Sequence, residues 1–352
     1  MLQNDKKQSF IELGKFLSQF EDGNNTQKSG VLNNDQFFDG FAEIIQMAQH
    51  YNGWFTPEQV YFAIKSWANA LTEANLDQWL ASYNFDNTTS KTVGLILAGN
   101  IPLVGFHDFL SVLISGHKAL VKTSSKDEKL LPYLAKYLIS VQPELEKQIE
   151  FTEGKLENFE AVIATGSNNT ARYFEYYFSK VPNIIRKNRN SVAVLDGTET
   201  KEELIALGDD IFKYYGLGCR NVSKIFVPQG YDFTLFFEAM FHYGEIIHYE
   251  RYANNYDYNK AVFLMSEFKI LDNEFMTLKQ DTSYSSPISS VFYEYYENLE
   301  QIKQKLALDA ELIQCIVSKN LVPNSLNFGQ TQHPQLWDYA DNVDTISFLT
   351  KN

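Results

Sequence analysis

The rhythm of hydrophobic positions changes near residue 92. Before it the chain is polar and reads as helical. In TPEQVYFAIKSWANALTEANLDQWLASY, Thr56, Pro57 and Glu58 suit a cap and first turn, and apolar positions then recur at helical spacing. After it, short apolar runs alternate with amphipathic stretches. TVGLILAG predicts a strand, followed by a helix over about 107–115, Gly116, the strand HKALVK and a helix over about 127–141. The pattern repeats as AVIATG, a helix from about 169, SVAVLDG, a helix over about 200–215 and SKIFVP. Beyond 230 come a helix over about 232–243, an aromatic, Asn-rich segment, and strands expected near 261–265 and 288–294. Continuous apolar strands alternating with helices predict an α/β fold with parallel, doubly wound sheets. No internal repeat is visible.

Composition narrows the function classes. The 352 residues are 44% hydrophobic and 21% charged, enough to bury a sizeable core and to exclude wholesale disorder. A net charge of −14 argues against nucleic acid or an anionic membrane as a general partner. The N-terminus, MLQNDKKQSFIELGKF, has charges where an export signal needs an apolar run. No window approaches the ~18 uninterrupted apolar residues of a membrane helix. A cytoplasmic location without integral membrane association is therefore expected, with both cysteines as free thiols. Two thiols alone cannot build a zinc site of three or four thiolates, and no metal is expected.

Four segments carry candidate chemistry. In FKYYGLGCRNVSKIFVP, Cys219 stands between a helix and a strand, flanked by Gly216, Gly218 and Arg220. Glycines let backbone approach a substrate, and the cation could favour thiolate; an inert turn cysteine suits the segment equally well. In LAGNIPLVGFHDFLS, Gly99 and Asn100 follow a strand, where ligands bind in open α/β sheets. The Asn100 amide could serve as an oxyanion donor or simply form a turn. In ALVKTSSKDE, Lys122 ends a strand, and Ser124 and Ser125 suit either a phosphate or a helix cap. ATGSNNTARYF offers Thr165, Gly166 and Ser167 with the same two readings. There is no GxGxxG fingerprint.

In order and spacing, these segments resemble the aldehyde dehydrogenase superfamily. AGNIP resembles its Asn-bearing turn, KALVKTSS its cofactor-ribose lysine strand, ATGS its phosphate turn and YGLGCRNVSKIFV its nucleophile loop. The stretch from SPISSVFYEYYENL to IQCIVSKN resembles its GPV-type strand and the helix after it. The ANNYDYNKA segment and FGQTQHPQLWDYADNVDTISFL look like the acyl-CoA reductase branch, the LuxC-like fatty-acyl reductases. The likeness covers about 92–352, and the first 91 residues add only a compatible helical region.

The resemblance implies two Rossmann-type lobes plus N-terminal helices: a cofactor domain over 1–189, a catalytic domain over 190–320, and a tail over 321–352 returning to the first lobe. It implies that Cys219 is the nucleophile toward an acyl-CoA, that Asn100 completes the oxyanion hole, and that Gly99, Lys122, Ser125, Thr165, Gly166 and Ser167 bind the cofactor. Oxidising members carry a water-activating glutamate where Ile185 falls or beside it, and no acid lies between Glu175 and Asp196. An acyl-enzyme without that base should hydrolyse slowly, which favours reduction to the aldehyde. NAD-preferring relatives place an acid three residues after the strand lysine; here it is Ser125, beside Lys126, so NADPH is expected. The same chemistry run oxidatively by a CoA-acylating dehydrogenase is the alternative, and a thiol acyltransferase or thioesterase without nicotinamide is another. A homo-oligomer is compatible with the family. For His333 a packing or turn role competes with proton transfer; His107 reads as cap or core. The pair His242 and His248 lacks partners for a metal, and Cys315 reads as a buried strand residue. The ANNYDYN segment, after Arg251, reads equally as a channel wall or a polar loop.

Overall fold

The polar N-terminal stretch folds as four helices, α1 (Gln3–Leu17), α2 (Asn34–Tyr51), α3 (Pro57–Ala70) and α4 (Glu73–Leu80), with a two-rung hairpin of β1 (Phe20–Glu21) and β2 (Asn24–Asn25) after the first. These elements belong to a computed structural model that describes residues 3–21, 23–86 and 88–351. Pro57 occupies the first turn of α3, where its missing N–H is no loss. Thr72 caps α4 by accepting the Asn75 N–H. Phe10, Phe16, Phe20 and Phe41 bury their rings completely in one aromatic core with Tyr137.

The chain divides into two units, Met1–Lys187 with Gln335–Asn352, and Asn188–Pro334. The sheet of the first unit is wholly parallel, in the order β5 (Ile149–Phe151), β4 (Lys118–Lys122), β3 (Thr92–Ile96), β6 (Ala161–Thr165), β7 (Asn183–Arg186). The connections include α5 (Phe106–Ile114), α6 (Leu130–Val141) and α7 (Asn168–Tyr177). Helix α5 is buried at almost every position, so its apolar run has no polar face to alternate with.

The second unit holds a six-stranded sheet in the order β10 (Ile270–Asp272), β11 (Thr277–Gln280), β12 (Ser290–Tyr296), β9 (Val222–Pro228), β8 (Asn190–Val194), β13 (Ile313–Ser318). Only β10 runs antiparallel to its neighbour. Its helices are α8 (Lys201–Phe212), started by a Thr200–Glu203 capping box, α9 (Thr234–Met240), α10 (Glu250–Met265) and α11 (Leu299–Leu308). The chain ends in the first unit with α12 (Thr345–Lys351).

Two expectations change. Residues 261–265 are the last turns of α10 rather than a strand. Tyr252, Tyr256, Asn259 and Phe263 are its buried positions, at helical spacing; Asn-rich composition and the run AVFLM hid that period. The chain joins the first unit from Gln335 rather than from 321, because Asp210 on α8 accepts the Gly329 and Thr331 N–H groups and keeps residues 321–334 with the second unit.

Candidate active site

Three neighbouring parallel strands bring most of the expected residues to one sheet edge. The carboxyl ends of β4, β3 and β6 release the turns bearing Lys122 and Ser125, Gly99 and Asn100, and Thr165 to Ser167. This is where open α/β sheets bind ligands. Gly99 is buried, and a Cβ there would fall 2.8 Å from the Ser124 side chain and 3.1 Å from the Asp127 amide, so only glycine allows the two turns to close. Asn100 is half-buried. Leu103, three residues on, sits in the left-handed region at φ 57°, and its N–H donates to Asp127 Oδ2 at 2.9 Å.

On the adjacent strand Lys122 Nζ donates to the Gly154 carbonyl at 2.8 Å, and Ser125 is exposed. Ser124 Oγ accepts the Lys126 N–H. Asp127 Oδ1 is buried without a hydrogen-bond partner, and burial raises this carboxyl to about 7, offset only in part by the Leu103 N–H. On the other side Gly166 N–H reaches the Arg186 carbonyl at 3.2 Å, and Ser167 is the N-cap of α7, accepting the Thr170 N–H. The hydroxyl that could meet a phosphate is therefore also the helix cap. Ile185 lies in β7, registered against Ala164.

The Cys219 segment belongs to the second unit. After α8, three consecutive residues, Tyr214 (φ 51°), Tyr215 (φ 57°) and Gly216 (φ 75°), are left-handed. Two non-glycine residues in that region store about 1–3 kcal/mol each, a strain typical of functional turns. The turn delivers Cys219, exposed, three residues before β9; Cys315 is buried in β13, and neither thiol forms a disulfide. Asn221 pins the segment: its Oδ1 accepts the Gly218 N–H, and its Nδ2 reaches the carbonyls of Asp210, Ile211 and Lys213. Ser191 Oγ donates to the Cys219 carbonyl at 3.0 Å. A cavity of about 20 Å³, space for one water, lies among Tyr215, Gly216, Ser223, Tyr252 and Ile288.

The Arg220 guanidinium donates to Cys315 Sγ and to the Thr331 carbonyl, both at 3.3 Å. The sequence did not reveal Asp210, wholly buried, whose carboxylate accepts from Gly329, Thr331 N–H and Thr331 Oγ1; burial raises it to about 6. It did not reveal Asn52 or Asp127 either. Asp210 and Asn52 stand in no motif, and Asp127, although inside ALVKTSSKDE, carries no local sign of its bond with Leu103; all three roles exist only through partners distant in sequence. His107 packs at the first turn of α5, with its Nε2 2.8 Å from the Leu336 carbonyl. His248 pairs with Glu245. His333 is exposed at the end of the Asp210-bound loop. Among the described residues no group of three or more His, Cys, Asp or Glu side chains converges as a metal site, and no helix is long and apolar enough to cross a membrane.

This architecture has counterparts. Aldehyde dehydrogenase 21 from Physcomitrella patens, solved with its product succinate, aligns over 100% of this chain and 84% of its own at 11% identity and a TM-score of 0.67. The NAD+ complex of an aldehyde dehydrogenase from Bacillus cereus aligns over 90% and 72% at 12% identity and a TM-score of 0.60. An NAD-dependent aldehyde dehydrogenase from Sinorhizobium meliloti aligns over 94% and 72%, at 12% identity and a TM-score of 0.61. At such identities the likeness concerns the fold, which is that of aldehyde dehydrogenases. No curated protein matches the sequence. The family model of acyl-CoA reductase (LuxC) matches residues 42–236, from within α2 through the turns after β3, β4 and β6 and the Cys219 segment into α9. With more than half of its length matched, and the Asn100 turn and the Cys219 segment inside the match, the chain belongs to the acyl-CoA reductase (LuxC) family.

Proposed function

We propose that the protein reduces an acyl-CoA to the aldehyde with NADPH, through an acyl-enzyme on Cys219. The observation that carries this reading is the exposed Cys219 thiol at the end of a strained, glycine-flanked turn. The Cys219 thiolate attacks the thioester carbonyl, the bond from carbon to the CoA sulfur breaks, and CoA leaves as thiolate to take up a proton. The Asn100 carboxamide and the Cys219 N–H stabilise the negative oxygen; losing one such donor costs about 10²–10³ in kcat. When bound, the reduced nicotinamide supplies a hydride to the acyl carbon. The resulting thiohemiacetal anion on Cys219 collapses to the aldehyde as its carbon–sulfur bond breaks, expelling Cys219 as the thiolate that begins the next turnover.

The residues of the first unit suit a phosphate-bearing dinucleotide. The donor set at the sheet edge is an ammonium and hydroxyls, from Lys122, Ser125, Thr165 and Ser167, with Gly99 and Gly166 allowing close backbone approach. Ser125 and Lys126 are both exposed, and no carboxylate stands at 125 to repel a 2′-phosphate. The absence of any acid from 176 to 195, with Ile185 in β7, supports reduction over hydrolysis of the acyl-enzyme.

The test is to incubate the protein with acyl-CoAs of graded length and NADPH, following NADPH loss, free CoA and trapped aldehyde. One aldehyde per NADPH consumed is expected, with turnover abolished in Cys219→Ala and an acyl adduct on Cys219 by mass spectrometry. Undiminished turnover in Cys219→Ala would remove the nucleophile, and CoA release without NADPH consumption would replace reduction by hydrolysis.

A further inference from the structure

We propose that Asn52 is a positioning residue for this reaction, which together with Asp127 fixes the turn bearing Asn100 against the turn bearing Lys122 and Ser125. The proposal rests on the reduction proposed above. It assigns a task to the N-terminal helices, the part of the chain for which the superfamily resemblance offered none.

Asn52 ends α2, where its own N–H closes onto the Ala48 carbonyl. Its side chain is buried and commits its hydrogen bonds to one arrangement. Oδ1 accepts the Trp54 N–H at 3.1 Å, while Nδ2 donates to the Gly99 and Lys126 carbonyls, each at 3.2 Å. Two carbonyl acceptors and one N–H donor fix the orientation of the amide. The Gly99 carbonyl lies in the peptide plane that begins Asn100, and a peptide plane held at one edge is held as a whole. The Lys126 carbonyl lies in the plane that begins Asp127, directly after Ser125 and Lys126.

Asp127 closes the circuit from the other side. Its Oδ2 receives the N–H of Leu103, beyond Asn100 in the same turn. The path Asn52, Gly99, Asn100 to Leu103, Asp127, Lys126 and back to Asn52 is thus a closed ring of hydrogen bonds and covalent chain. Inside it Gly99 lies against Ser124 with no room for a Cβ. Two separate ties set both the spacing and the tilt of the turns, which a single bond would leave free. Loss of either tie would free the Asn100 turn to shift against the turn bearing Lys122 and Ser125.

The experiment is a double-mutant cycle on the full chain, reading single-turnover acylation of Cys219 as CoA released, steady-state kcat, KM for NADPH and the thermal midpoint. Asn52→Ala should slow acylation about 10- to 100-fold, the usual result of a misplacement near 1 Å. In an Asn100→Ala background the same change should cost less than about twofold, because its effect passes through Asn100. Asp127→Ala should behave as Asn52→Ala does, and Asp127→Asn, which keeps an acceptor for Leu103, should restore most of the rate. Equal slowing in both backgrounds, or an Asn52→Ala enzyme as fast as wild type, would overturn the proposal while leaving the reduction intact. A wild type that never acylates Cys219 would overturn both. Should Asn52→Ala not fold, the cycle of Asp127→Ala with Asn100→Ala decides the same question.

Discussion

Arg186 and Asp108 form a two-pronged ion pair inside the first unit, Nη2 to Oδ1 at 2.7 Å and Nε to Oδ2 at 3.2 Å. Both side chains are buried. The same guanidinium donates to the Ala340 carbonyl and to Thr345 Oγ1, so one residue of β7 ties α5 to the C-terminal segment. Removing only Arg186 would leave a buried carboxylate without its partner. Arg186→Ala should therefore lose about 3–5 kcal/mol of stability, and Arg186→Met combined with Asp108→Leu clearly less. Denaturant midpoints of the three proteins check this; a single mutant no worse than the double would show that the pair is not the tie.

Asp127 should make stability fall with rising pH. Its folded carboxyl titrates at about 7 against an ordinary 3.8, because burial penalises the charged form. Its stabilising effect is full below about 4, where the folded and unfolded chains are both protonated, and is lost as pH climbs to about 7. By linkage the loss approaches about 4 kcal/mol. Asp127→Asn should remove that slope, so the mutant gains on the wild type across the window from about 4 to about 7. Parallel curves of stability against pH for the two proteins would contradict the assignment.

Ser125 should govern the choice between the two nicotinamide cofactors. A glutamate at this exposed position would place a negative charge where a 2′-phosphate is expected. Ser125→Glu should lower kcat/KM for NADPH by about 10- to 100-fold, equivalent to about 1.4–2.8 kcal/mol, and spare NADH. An unchanged ratio between the cofactors would end the argument from this residue.

Gly216 tests the strained turn before Cys219. A Cβ there meets only the Ile211 carbonyl, at an ordinary 3.5 Å, so φ 75° rather than crowding sets the cost. Gly216→Ala should lose about 1–2 kcal/mol, and Gly216→Asn less, since asparagine tolerates the left-handed region. Acylation of Cys219 should slow in the same order. Equal effects of Ala and Asn would show that the backbone angle is not what matters.

The central strands β3, β4, β6, β8, β9 and β12 were legible because their apolar runs are continuous and bounded by glycine and polar turns, whereas β5, β7, β10 and β11, three or four residues each, are too short to show a period. The Gly99–Asn100, Lys122–Ser125 and Thr165–Ser167 turns were legible for a related reason: each directly follows a strand. Residues 261–265 were misread because AVFLM looks the same in a buried strand and in the last turns of a helix; only the packing of Tyr252, Tyr256 and Phe263 separates the two. The reach of the Arg220 guanidinium to Cys315 Sγ and the Thr331 carbonyl has no local signal, because both partners are distant in sequence.

By itself the sequence determined the alternation that makes parallel sheets, the turns at their carboxyl ends, and the place of Cys315 in a buried strand. Local spacing suffices for these, because strand period, turn chemistry and motif order are properties of neighbouring residues. Tertiary structure decided that Asn52 clamps two distant turns, that Asp127 is a buried carboxyl with one oxygen unpartnered, and that Asp210 holds the loop at 329–331. Burial and hydrogen bonding across tens of residues create those roles, and neither leaves a periodic trace in the chain.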